Sequence, residues 1–108
     1  MNNLNDIPLL TQAIETLHEC HATHVSTVAV EESLEGVRVW FGKVEVFDLR
    51  NHPQAARAFA WNYRTKDGRL QSVAILKVPP VGTAADAVRS AVAGGTMPRD
   101  QTLIFFPI

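Results

Sequence analysis

Three of the four histidines and the only cysteine of this 108-residue chain fall within seven positions, His18-Glu19-Cys20-His21-Ala22-Thr23-His24. On a helix, residues 18 and 21 are neighbours, as are 20 and 24, and 21 and 24. That spacing lets imidazole nitrogens and a thiolate converge, as zinc or copper ligation requires. His18, Cys20, His21 and His24 are therefore the candidate metal ligands, with zinc the candidate ion. The set lacks the paired C-x-x-C knuckles of structural zinc sites, and it is not H-E-x-x-H. A plainer reading needs no cofactor. Cys20 and His21 then face a core, while His18 and His24 are solvated or cap a helix end, where the dipole favours histidine.

A second group could exchange protons: Asp48, His52 and Glu45. Four positions separate Asp48 from His52, but the turn at Pro53 leaves their geometry undefined. The chain has no G-x-S-x-G, no phosphate-cradling glycine loop and no G-x-G-x-x-G. No residue is marked as catalytic.

Aromatic side chains form the third group: Trp40, Phe41, Phe47, Phe59, Trp61 and Tyr63. Aromatics on one sheet face can stack bases or wall an apolar pocket, and Arg57 and Arg64 flank the third strand. They also dominate ordinary cores. Two tryptophans plus Tyr63 exceed what two short helices readily cover. Trp40, Phe59, Trp61 and Tyr63 are thus candidates for a ligand or partner surface.

The elements that must position these groups follow from periodicity. Ile7, Leu10, Ile14, Leu17 and His21 recur at spacings of three and four, predicting an amphipathic helix over Ile7–Ala22, capped by Asn5 or Asp6 with Pro8 in its first turn. From Val25 the period becomes two, and Glu32-Ser33-Leu34-Glu35-Gly36 supplies a turn. Val37–Leu49 then reads as one long strand whose phase slips. Either a bulge at Gly42-Lys43 restores it, or Trp40, Val44 and Val46 line the core while Val37 and Phe41 face a second layer or a partner. Asn51-His52-Pro53 breaks that strand. Residues 58–63 alternate with the row Phe59, Trp61, Tyr63. Lys66-Asp67-Gly68-Arg69 is a tight hairpin turn, and the strand Leu70–Val78 returns from it. Thr83 and Asp86 open a helix over Ala84–Ala93 in the manner of a capping box, and Gly94-Gly95 stops it.

The fold class is α+β: an N-terminal helix, a four-stranded, mainly antiparallel sheet, and a C-terminal helix, with both helices on one face. The chain ends Thr102-Leu103-Ile104-Phe105-Phe106-Pro107-Ile108, which is uncharged and rich in aromatic and β-branched residues. Such a segment needs a cover. An extra C-terminal strand on the domain's own sheet, a homodimer interface or strand exchange would each supply one, and Phe105 and Phe106 are its interface candidates.

Size fits one domain over residues 1–108, large enough for a core without disulfides. Ten basic residues against eleven acidic ones argue against nucleic acid, whose binders carry a basic excess. A lone cysteine does not suggest secretion. Residues Met1–Asp6 hold no basic n-region, and no apolar run approaches the roughly 20 residues of a membrane span. A cytoplasmic location is expected.

Val39–Leu49, followed by His52-Pro53, Ala55 and Ala60-Trp61, resembles a pattern in short bacterial proteins of the mobile-element kind, such as integron gene-cassette and plasmid cargo. The likeness covers roughly His18 to Ala93 and implies no activity, substrate or catalytic residue. The helix–strands–helix order is also similar to that of double-stranded RNA-binding domains, but their basic, lysine-rich start to the last helix is missing here. The expected function is non-catalytic: binding a small apolar ligand or a protein partner through an uncovered sheet face, as a homodimer. A metal-dependent enzyme or sensor built on the His/Cys cluster is the alternative.

Overall fold

The structure is a computed structural model and describes residues 5–65 and 67–93. Its elements run α1 (Ile7–His18), β1 (His21–Leu34), β2 (Val37–Arg50), β3 (Arg57–Arg64), β4 (Leu70–Leu76) and α2 (Ala84–Ala93). The four strands form one antiparallel meander in the order β1-β2-β3-β4. The expected α+β architecture is the one observed. Thr102–Ile108, with Phe105 and Phe106, lies outside the described residues.

Local chemistry explains most boundaries. Asp6 caps α1, its side chain accepting from Leu9 N at 3.1 Å, with Pro8 in the first turn. Thr83 Oγ1 accepts from Asp86 N at 3.1 Å, and Asp86 Oδ2 accepts from Thr83 N at 3.2 Å, so α2 opens with the expected reciprocal cap. Glu35 and Gly36 both take positive φ, 53° and 80°, as a two-residue hairpin turn demands.

The expected helix over Ile7–Ala22 is four residues too long. It stops at His18, and Glu19 takes the left-handed conformation (φ 52°, ψ 53°) that ends it. Glutamate at that position gives no stop signal in the sequence, where glycine or asparagine would. Leu17 is also 66% exposed, so the buried side of α1 is carried by Leu10 and Ile14.

The helices do not share a face. Val46, Phe59 and Ile75 are register partners, as are Phe47, Ala58 and Leu76, and successive strand residues point to opposite sides. α2 buries Ala84, Ala87, Val88, Ala91 and Val92 against the first side, with Val30, Trp40, Val44, Trp61 and Val73. α1 buries Leu10 and Ile14 against the second, with Cys20, Ala22, Phe47, Leu49, Ala58 and Ala60. The sheet therefore separates two apolar cores. Both layers are needed because the β2 and β3 positions on both faces are apolar, a pattern that calls for cover on each side.

Trp40, Val44 and Val46 do line one core, the second of the two phase assignments for β2. No bulge is needed at Gly42-Lys43. The register shifts fall instead between the His24–Phe47 and Ser26–Val46 pairs, where β1 carries Val25 as an extra residue, and between the Glu32–Trp40 and Ser33–Arg38 pairs. Gly42 serves packing: a Cβ there would sit 2.9 Å from Cη2 of Trp40.

Candidate functional site

The four candidate metal ligands are not neighbours on a helix, because only His18 belongs to one. Cys20 precedes β1, while His21 and His24 lie on it. Cys20 and His24 are four positions apart along extended chain, about 13 Å. Cys20 is buried among apolar neighbours. That burial, with the Glu15 carboxylate adding to it, pushes its thiol above the ordinary value and away from the thiolate that ligation or nucleophilic attack requires. His21 is exposed, its Nδ1 4.0 Å from Glu15 Oε2. Among the described residues no group of three or more His, Cys, Asp or Glu side chains comes together to hold a metal ion.

His18 instead meets His52 edge-on, with ring centroids 5.9 Å apart. His52 Nδ1 accepts from the backbone N–H groups of Gln54 and Ala55, both at 3.1 Å, so its neutral ring carries the proton on Nε2. Asp48, the expected acid–base partner of His52, accepts from Arg57 Nε and Nη2 at 3.1 and 2.9 Å. This is turn chemistry. The third member of that set, Glu45, is a different matter.

Glu45 is completely buried, yet its carboxylate is fully engaged. Oε1 meets His24 Nε2 at 2.8 Å and accepts from Thr27 Oγ1 at 2.5 Å, while Oε2 accepts from Asn5 Nδ2 at 2.9 Å. Burial alone would raise its pKa. The bonds from Thr27, Asn5 and His24, together with the charge of His24, outweigh that and hold the carboxyl below its ordinary range.

The bulge at Val25 makes this arrangement. His24 pairs with Phe47 and Thr27 pairs with Glu45, so both side chains emerge on the α1 side of the sheet. Three positions apart on a regular strand, they would point to opposite faces.

Asn5 completes the cluster by standing between two strands. β2 and β3 are paired from Asp48–Arg57 to Glu45–Ala60 and no further. In the place the next bonds of the ladder would occupy, Asn5 Nδ2 donates to Lys43 O at 2.9 Å and Asn5 Oδ1 accepts from Asn62 N at 2.8 Å. The carboxamide acts as a stand-in peptide group. Asn62 is itself buried, and its Oδ1 accepts from Ser72 Oγ at 2.6 Å. Sequence reasoning missed Asn5, Thr27 and Asn62 as partners. The bulge leaves no mark in the sequence pattern: Ala22 and Val30 have the same parity, yet one lies in the α1 core and the other in the α2 core.

The aromatic row is not an open surface. Trp61, Trp40 and Phe59 are buried with α2, and Trp40 and Trp61 pack edge-to-face at 5.6 Å. Tyr63 is half-buried at the margin of the same core. The uncovered face expected from two helices on one side does not exist, because each helix covers its own side.

A carboxylate orienting an imidazole is half of many catalytic sites. Here the Glu45 carboxylate that meets His24 also accepts from Thr27 and Asn5, which joins β1, β2 and the entry to α1. Fold and site together define a helix-flanked antiparallel α+β domain whose central polar cluster ties its own strands together. No protein family matches the chain, and no curated protein and no solved structure matches it. Among the described residues no helix is long and apolar enough to cross a membrane.

Proposed function

We propose that this chain is a non-catalytic partner-binding domain that associates with a second copy of itself along the outer edge of β1. The observation that carries the reading is that edge. β1 is 14 residues long and is an edge strand, with no other strand among the described residues on its outer side. Soluble proteins blunt exposed edges with lysines, prolines, short strands or bulges. His21–Leu34 contains no lysine, arginine or proline, and its main bulge, at Val25, leaves the run Ser26–Leu34 beyond it. Val25 and Val28 are exposed there. The opposite edge strand, β4, has half the length. Antiparallel pairing of β1 with its copy would continue the sheet across a two-fold axis.

Binding of a small apolar ligand loses its support, since Trp40, Phe59 and Trp61 lie under α2. Accessory cargo of a mobile element, acting in the cytoplasm, belongs to the same proposal. It is supported by the resemblance over His18–Ala93 and by the single cysteine.

Light scattering coupled to size exclusion tests the self-association. The wild-type chain is expected as a dimer, and Val28→Lys, which puts a charge on the edge strand, as a folded monomer with unchanged circular dichroism. A wild-type chain that remains monomeric at every concentration overturns the proposal.

A further inference from the structure

A strand that pairs antiparallel with its own copy does so about a two-fold axis perpendicular to the sheet. Residues opposite each other then lie on the same side of that sheet, so the axis passes through a residue and not between two. Beyond the Val25 bulge the sides of β1 are fixed. Val30 lies in the α2 core and Glu32 Oε1 accepts from Arg89 of α2 at 3.1 Å, whereas Thr27 turns to Glu45 on the α1 side. Ser26 and Val28 therefore share the α2 side with Val30 and Glu32.

Two features bracket the stretch that can pair. At one end the extra residue Val25 breaks the spacing of the outward backbone groups. At the other stand Glu31 and Glu32, the charged residues of Ser26–Leu34. An axis at either glutamate sets a carboxylate against its own copy, and an axis at Val30 makes the two Glu31 residues diagonal neighbours, about 7–8 Å apart. An axis at Ala29 brings Glu31 of the second copy against Thr27, whose hydroxyl is already given to the buried carboxylate of Glu45. Moved to Thr27, the axis leaves room for Ser26, Thr27 and Val28 alone before the bulge intervenes. Ser26-Thr27-Val28-Ala29-Val30 is uncharged, and Val28 at its centre is 38% exposed although apolar.

We infer that two copies of this chain meet about Val28, which lies on the two-fold axis. The inference rests on the self-association proposed above and fixes its register. Val28 packs on Val28 of the second copy, a β-branched cross-strand pair. Thr27 faces Ala29 of the second copy, and Ser26 faces its Val30. Glu31 of the second copy falls beside the Val25 bulge, next to the imidazole of His24, and away from every other carboxylate of β1. Both α1 helices lie on one side of the joined sheet and both α2 helices on the other.

Nitroxide labels on Ser33→Cys, in a Cys20→Ala background, read the register by pulsed electron resonance. With the axis at Val28, Ser33 lies about 33 Å from its copy, at ~3.3 Å per residue. Each shift of the axis by one residue changes that distance by about 7 Å. In the same background, Val28→Cys without a label should close a disulfide across the axis under mild oxidation. Ser26→Cys, about 13 Å from its copy, should not. A dimer with Ser33 labels at about 27 Å or less, or at about 40 Å or more, overturns the register and leaves self-association standing. So does a dimer in which Ser26→Cys cross-links faster than Val28→Cys. A wild-type chain that stays monomeric removes the pairing and its register together.

Discussion

His24 and Thr27, three positions apart on β1, bond to the same oxygen of Glu45, at 2.8 and 2.5 Å. A flat strand forbids this, since residues at odd spacing face opposite ways. Val25 is the extra residue that permits it. One irregularity in the backbone thus decides which side chains can satisfy a buried charge, and it places a polar cluster within an otherwise apolar sheet.

The cluster makes stability depend on acid. Glu45 is held below its ordinary range although burial works the other way, so its contribution is present above about pH 4.3 and is lost as pH falls through the native value. Urea midpoints measured from pH 7 down to pH 3 should fall across that window in the wild-type chain. Thr27→Val removes one hydrogen bond to a charged group and should cost about 1.5–3 kcal/mol at pH 7. The same series run on Thr27→Val should show a shallower acid dependence, because a bond that lowers the carboxyl value is gone. An unchanged slope would mean that Glu45 does not govern the acid limb.

Gly42 should not accept a side chain. The ring atom that a new methyl group would meet, at 2.9 Å, is the far end of Trp40, but Trp40 is buried against Trp61 and has little room to retreat. Gly42→Ala should therefore destabilise by about 1–3 kcal/mol, the usual cost of overpacking. Emission from the tryptophans should shift as their edge-to-face contact opens. A denaturation curve superimposable on the wild type would show that the ring moves freely.

Trp61 carries an indole N–H that is buried and finds no acceptor among the described residues. Leaving such a donor unsatisfied costs about 1–3 kcal/mol. Trp61→Phe deletes the donor along with part of the ring, so the two effects oppose each other. Its loss of stability should be well below the about 3–5 kcal/mol of Trp61→Ala. Paired thermal melts of the two variants test this, and equal losses would mean that the N–H is satisfied after all.

Much of the fold was legible because its signals are local. Asp6 and Pro8 mark the start of α1, and Thr83 with Asp86 marks the start of α2. Asp67-Gly68 marks a hairpin, and Pro53 ends a strand. The end of α1 was illegible because Glu19 bends the chain in a conformation its type does not announce. That error carried the histidine cluster onto a helix, where its members looked like joint ligands. With His18 at the end of α1 and His21 and His24 on β1 they separate, His18 to His52, His21 to Glu15 and His24 to Glu45.

The sequence by itself determined the order of elements, the antiparallel meander and the apolar character of the strands, since each depends on residues within a few positions of one another. Tertiary structure decided which face each helix covers and which partners Glu45 finds. Asn5 and Asn62 are 57 positions apart and meet only because β2 and β3 part at that point. Contacts of that range leave no period and no motif behind. They are set by strand register: the shift of β1 against β2 at Val25 brings His24 and Thr27 to Glu45, and the end of the β2–β3 ladder admits Asn5.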